Sequence, residues 1–212
     1  MTSAGNPIVL AFSGGLDTSF CVPWLKETYK RPVVTVTVNC GGIDAAAARA
    51  LDERARALGA AEHRLIEARP EFFDRVIKFL IMGNVKRGNM YPLSVGAERG
   101  LQAKYLAQLA KELGSDTVAH GCTAAGNDQV RFEIVLKAVA PQLTILAPVR
   151  DHAFQRPAQV NAAADAVARA DFLDLLEQRD GIESLAVERD GHALRELDLE
   201  LAERLRLVER AG

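Results

Sequence analysis

Before residue 148 the sequence alternates five short, largely apolar runs with helical stripes. The run "PIVLAF" (7–12) is apolar throughout, as a strand buried on both faces requires. Residues 17–29 follow with helical spacing, and Pro23 predicts a local irregularity there. The β-branched run "PVVTVTVN" (32–39) is a second strand. The alanine-rich stretch 44–58 is a second helix, with Gly59 as its expected C-terminal cap. The series continues with a strand at 63–66, helices at 71–81 and 101–113, and a strand at 116–120. A helix at 128–139 and a strand at 143–147 complete it. Between them, 83–100 has glycines, Pro92 and no clean period. It is expected to be a long loop with one short helix at most, of a kind that often carries function.

Such alternation specifies an α/β fold: an open parallel five-stranded sheet with helices on both faces. Ligands of these sheets bind beyond the carboxyl ends of the strands. The loops 13–15, 39–42 and 121–127 all follow strands and should open on one rim. Residues 152–212 read differently. They suggest a helix at 158–178, a hairpin around Asp190-Gly191, and an amphipathic helix at 197–209 rich in leucine. This helical C-terminal extension could dock on the core or serve oligomerisation.

Composition removes several functions. The 212 residues carry a net charge of −2 with no basic stripe, which argues against nucleic acid. Cys21, Cys40 and Cys122 are odd in number and widely spaced, so neither a disulfide framework nor a zinc site is expected. Residues 1–7 lack the pattern of a signal peptide, and no run suits a membrane span. A cytoplasmic protein is expected, without nucleic acid or membrane as partner.

The chemistry concentrates in "AFSGGLDTS" (11–19), between the first strand and the first helix. Backbone N–H groups at a helix N-terminus and the helix dipole attract anions. Gly14 and Gly15 permit close approach of a phosphate, and Ser13, Thr18 and Ser19 can donate to its oxygens. Asp17 would repel phosphate unless Mg²⁺ lies between them; the alternative is a plain turn with Asp17 or Ser13 as helix cap. The Gly-Lys-Ser/Thr ending of a Walker loop is missing.

This string resembles the pyrophosphate-loop ATPases, and within them the argininosuccinate synthase family. "AHGCTAAGNDQVRFE" (119–133), "YPL" (91–93) and "LAPVRD" (146–151) resemble that family in the same order. The resemblance covers residues 7–151 and implies the adenine nucleotide alpha hydrolase-like, or HUP, fold for residues 1–151. It implies ATP and Mg²⁺ as cofactors and no resident metal site. It places ATP against Ala11, Phe12, Ser13, Gly14, Gly15 and Leu16, then Asp17, Thr18, Ser19, Val38 and Gly121. Of these, Ser13, Asp17 and Thr18 would serve catalysis. Thr123, Asn127 and Asp128 would hold aspartate; Tyr91, Asn127 and Arg131 would hold the acceptor. The residues agree, since Asp128 suits an ammonium and Arg131, on the same helical face, suits a carboxylate. The alternative is an Asn127 cap with an intrahelical Asp128–Arg131 pair. Cys122 reads as a small rim residue, and His120 as a hydrogen-bonded strand end.

The chain also departs from the family. Ser94-Val95-Gly96 stands where Gly-Thr-Ser is usual, and Ala124-Ala125 where Gly-Lys is usual. Residues 152–212 do not resemble the family's synthetase domain. The ATP and aspartate sets are thus present while the citrulline set is broken. The expected activity is an AMP-forming C–N ligase that adenylates a ureido, amide or carboxylate acceptor and condenses it with aspartate. A homo-oligomer, or a partner subunit completing the site, is expected. The other readings are an ATP- and aspartate-binding subunit without catalysis, a minimal argininosuccinate synthase using citrulline, and a C–N ligase acting on tRNA or a nucleotide.

Overall fold

The computed structural model describes residues 5–87, 91–124 and 127–152. Its strands in chain order are β1 (Ile8–Ala11), β2 (Val33–Asn39), β3 (Glu62–Glu67), β4 (Lys86–Arg87), β5 (Tyr91–Pro92), β6 (Thr117–Ala119) and β7 (Thr144–Leu146). Five of them form one parallel sheet in the order β3-β2-β1-β6-β7, while β4 and β5 make a separate antiparallel pair. Ile8 of β1 sits between Val33 and Thr117, which fixes the central register.

The helices are α1 (Leu16–Tyr29), α2 (Ala45–Ala57), α3 (Arg69–Phe72), α4 (Lys78–Met82), α5 (Ser94–Glu112), α6 (Asp128–Val139) and α7 (Pro148–Asp151). Alternate strand residues serve opposite faces. Val9, Val34, Val36 and Val118 pack with Leu106 of α5 and with Phe132 and Leu136 of α6. Ile8, Leu10 and Val33 are turned the other way and fully buried, on the side of α1 and its buried Phe20 and Leu25. Leu136→Ala, emptying a site with no solvent exposure, is expected to cost 2–5 kcal/mol, read by urea unfolding.

Three local expectations need correction. First, α1 runs unbroken through Pro23, whose ring is buried. Second, the helical segment 71–81 is neither uniform nor so short. It spans Arg69 to Met82 and contains a π-turn, Phe73–Ile77, between α3 and α4. The extra residue shifts the apolar stripe by about 100°, which a segment of so few turns is too short to reveal. Third, much of 83–100 is not a loop. The β4–β5 pair occupies its middle, and α5 begins at Ser94 rather than at 101.

Of the two glycines inside α5, Gly96 is a packing residue and Gly100 leaves ordinary van der Waals room. A Cβ on Gly96 would lie 3.2 Å from Arg131 Cζ, and one on Gly100 3.8 Å from Val135 Cγ2. Glycine costs a helix about 1 kcal/mol relative to alanine. At Gly96 it leaves room for the Arg131 guanidinium of α6. The helices and hairpin expected within 153–212 lie outside the described residues.

The strand order places the site. From β1 the chain builds β2 and β3 to one side, then crosses to β6 and β7 on the other. The reversal lies between β1 and β6, where such sheets open a crevice at their carboxyl ends.

Candidate functional site

The loop after β1 reverses through Gly14, at φ +75°, a conformation a side chain disfavours. Ser13 N–H donates to Thr18 Oγ1 at 3.3 Å, and the two hydroxyls lie 3.2 Å apart. Gly15 N–H donates to Ser13 Oγ at 3.3 Å, and Thr18 Oγ1 donates to Gly15 O at 3.2 Å. These bonds are long and therefore weak, so a better acceptor can claim the donors. Gly15, not Asp17 or Ser13, is the N-cap of α1, and as a glycine it makes no side-chain capping bond. The helix thus begins as an anion site does, with Asp17 in its first turn.

The facing wall is the end of β6. A Cβ on Gly121 would fall 2.9 Å from Thr18 Cγ2, 3.1 Å from Thr18 N and 3.2 Å from Asp17 C. Glycine is required because the strand end presses on the first turn of α1. Before it, His120 is 1% exposed. Its Nδ1 accepts from Cys122 N–H at 3.3 Å, which leaves the ring proton on Nε2. That nitrogen has no hydrogen-bond partner among the described residues and lies 4.0 Å from Glu133 Oε1. The ring packs against Phe132, centroids 5.6 Å apart.

Burial holds His120 well below its ordinary range, at about 4, and Arg150 reinforces this while Glu133 and Asp151 oppose it. The unfolded chain therefore binds a proton here that the folded chain refuses between pH 6.5 and about 4. Stability is full above pH 6.5 and falls as pH drops toward 4, by about 3 kcal/mol from this group. Thermal melting across that window is expected to show a flatter profile for His120→Gln than for the wild type.

A third wall comes from α5 and α6. Arg99 Nε donates to Asp128 Oδ2 at 3.1 Å, and Arg131 Nη1 donates to Asp128 Oδ1 at 2.7 Å. Asp128 is therefore bridged by two guanidinium groups. Arg99 also donates to Gln102 Oε1 at 2.9 Å and lies 3.2 Å from Glu98 Oε1. Asn127 is the N-cap of α6, but its side chain makes no capping bond and is exposed, as is Thr123.

Together these walls line an open cleft of about 360 Å³. Ala11, Phe12 and Val38 line one end; Ser13, Gly15, Leu16, Asp17 and Thr18 form the floor with Gly121. Asp128, Glu98 and Arg99 close the far side. Gly14 and Ser19 of the expected set do not line it, and Ser19 Oγ donates to Gly14 O at 3.5 Å. Arg131 reaches the site through Asp128, and Tyr91 lies on β5.

Glu98 and Arg99, which line the cavity, escape the sequence reading because 83–100 reads as loop. Extending the helical period of 101–113 back to Ser94 would have found them. The thiols of Cys40 and Cys122 line the cavity, and burial pushes both up to about 11. They are neutral at physiological pH and poor nucleophiles. Among the described residues, no helix is long and apolar enough to cross a membrane.

Comparison with known proteins places this geometry. Residues 7–168 match the family model described as the arginosuccinate synthase N-terminal HUP domain. Argininosuccinate synthase from Dictyoglomus turgidum is 43% identical over 159 residues, covering 74% of this chain and 39% of that one. The Pyrobaculum aerophilum enzyme is 43% identical over 158 residues, with the same coverage. The chain thus spans about two fifths of the length of these relatives. A solved structure given as a predicted subunit of tRNA methyltransferase, from Methanocaldococcus jannaschii, matches with a TM-score of 0.50 at 17% identity, covering 74% of each chain. That likeness speaks to the fold alone. With 162 residues matched to its N-terminal HUP domain, the chain belongs to the argininosuccinate synthase family.

Proposed function

We propose that this chain is an ATP-dependent C–N ligase. It transfers AMP from ATP to a carbonyl oxygen of an acceptor other than citrulline, releasing pyrophosphate. The amine of aspartate then attacks the activated carbon and AMP leaves. The observation carrying this reading is the pairing of an uncapped first turn of α1 with a strand end that only glycine can form. That cradle suits a phosphate chain, and the apolar end of the cavity at Ala11, Phe12 and Val38 suits an adenine ring.

Residue roles follow from position. Ser13, Thr18 and the Gly15 N–H exchange their weak internal bonds for phosphate oxygens and steady charge on the departing pyrophosphate. Asp17 faces the same space and offers a hard oxygen ligand. Mg²⁺ is commonly held by one or two carboxylates with the substrate's phosphates, and when bound it supplies Lewis-acid charge neutralisation. Thr123, Asn127 and Asp128 would hold aspartate; Tyr91, Asn127 and Arg131 would hold the acceptor. No side chain need act as nucleophile, so rate comes mainly from positioning.

A second reading, argininosuccinate synthesis with citrulline, is favoured by the 43% identity to synthases of that name. Pyrophosphate release from Mg-ATP and aspartate separates the two, assayed with citrulline and with a panel of amides, ureas and carboxylates. Release with citrulline establishes the second reading. Release only with another acceptor establishes the first and names the acceptor class. ATP binding without release across the panel would instead favour a binding subunit that needs a partner protein.

A further inference from the structure

We infer that Arg54 is a positioning residue for the phosphate-binding loop, an inference that rests on the nucleotide reading above. Arg54 belongs to α2 and does not line the cavity. Its Nη1 donates to the carbonyl oxygen of Gly14 at 2.5 Å, across 40 residues of sequence. The contact is charge-assisted and short.

Its consequence follows from the planar trans peptide. The C=O of one residue and the N–H of the next point in opposite directions. Anchoring Gly14 C=O on Arg54 therefore turns Gly15 N–H away from α2. It turns toward Ser13 Oγ, which it meets at 3.3 Å, and toward the cavity that Ser13 and Gly15 line. A Gly-Gly peptide resists flipping less than any other. Flipped, it would aim a carbonyl oxygen at the phosphates in place of a donor. Arg54 is the strong restraint against that; Ser19 Oγ also donates to this oxygen, but at 3.5 Å.

The seat is shaped for this task. A Cβ on Gly14 would meet Leu51 Cδ2 at 2.5 Å and Arg54 Nη1 at 3.3 Å. Leu51 and Arg54, one helical turn apart, thus fit against a bare Cα. The half-buried guanidinium has no carboxylate partner among the described residues, and its Nε is buried without a hydrogen bond. An isolated cation behind an anion loop is costly by itself and is relieved when the anion binds.

The test uses the full chain and three probes measured by calorimetry: Mg-ATP, inorganic pyrophosphate and adenosine. Arg54→Met keeps the packing length and removes the donor; Arg54→Lys keeps charge and one donor. Arg54→Met is expected to bind pyrophosphate and Mg-ATP about tenfold more weakly, with adenosine unchanged, and Arg54→Lys to recover most of the loss. Equal pyrophosphate binding by wild type and Arg54→Met overturns the inference. So does an equal loss for adenosine, which marks general damage. A melting curve on each variant reports any loss of fold, and Arg54→Lys carries the comparison if Arg54→Met unfolds. A wild type that binds none of the three probes overturns the nucleotide reading itself, and this inference with it.

Discussion

Gly121→Ala is expected to lower pyrophosphate release about a hundredfold, by adding one carbon atom outside any hydrogen bond. The added methyl has no room. Two of its three nearest atoms, Thr18 N at 3.1 Å and Asp17 C at 3.2 Å, are helix backbone and cannot rotate aside. The third, Thr18 Cγ2 at 2.9 Å, belongs to a side chain tied through Oγ1 to Ser13 and Gly15. Either the first turn of α1 or the end of β6 must move. Both line the cavity, and a shift of a fraction of an ångström misplaces every donor on the floor. Overpacking of this kind costs about 1–3 kcal/mol, so melting should report a folded but weakened protein alongside the kinetic loss. Full activity in Gly121→Ala would show that the wall between α1 and β6 is not where catalysis happens.

Asp17→Ala is expected to abolish turnover, a loss of about a thousandfold or more, while leaving the fold intact. The contrast between the two readouts is the point. A carboxylate in the first turn of a helix stabilises it by about 0.3–1 kcal/mol through the dipole, a small change in melting. The role proposed for it toward phosphates and their cation would be far larger. A variant that melts within a few degrees of wild type but releases no pyrophosphate places Asp17 in the chemistry. One that retains turnover removes Asp17 from the mechanism and returns it to the plain helix-terminal role.

The parts of this fold that local patterning controls were legible from the residues. The apolar run before Ser13 and the β-branched run at 33–39 could bury themselves only as interior parallel strands. Asp128–Val139 has the bounds that its own periodicity sets. What eluded the sequence depends on partners far along the chain. Gly96 reads as a breaker until Arg131 is seen against it, and with it went Glu98, Arg99 and the far wall of the cavity. Arg54 carries no local signal, because its partner is a backbone oxygen 40 residues away. Spacing alone offers the intrahelical Asp128–Arg131 pair as the alternative to ligand binding, but it gives no sign of the second guanidinium on the same carboxylate.

Asp128 is a bridged carboxylate, and this sets the thermodynamics of anything that replaces its partners. Consider a ligand ammonium that takes it from Arg99, from Arg131 or from both. Binding is then an exchange of ion pairs rather than the creation of one, and its free energy is a difference between similar quantities. A simple amine leaves the displaced guanidinium without an anion and gains little. A zwitterion brings its own carboxylate to the arginine it frees, so the charge count balances before and after. The site would therefore favour amino acids over amines without any shape selection. Because ion pairs are conserved through the exchange, its affinity would respond only weakly to ionic strength.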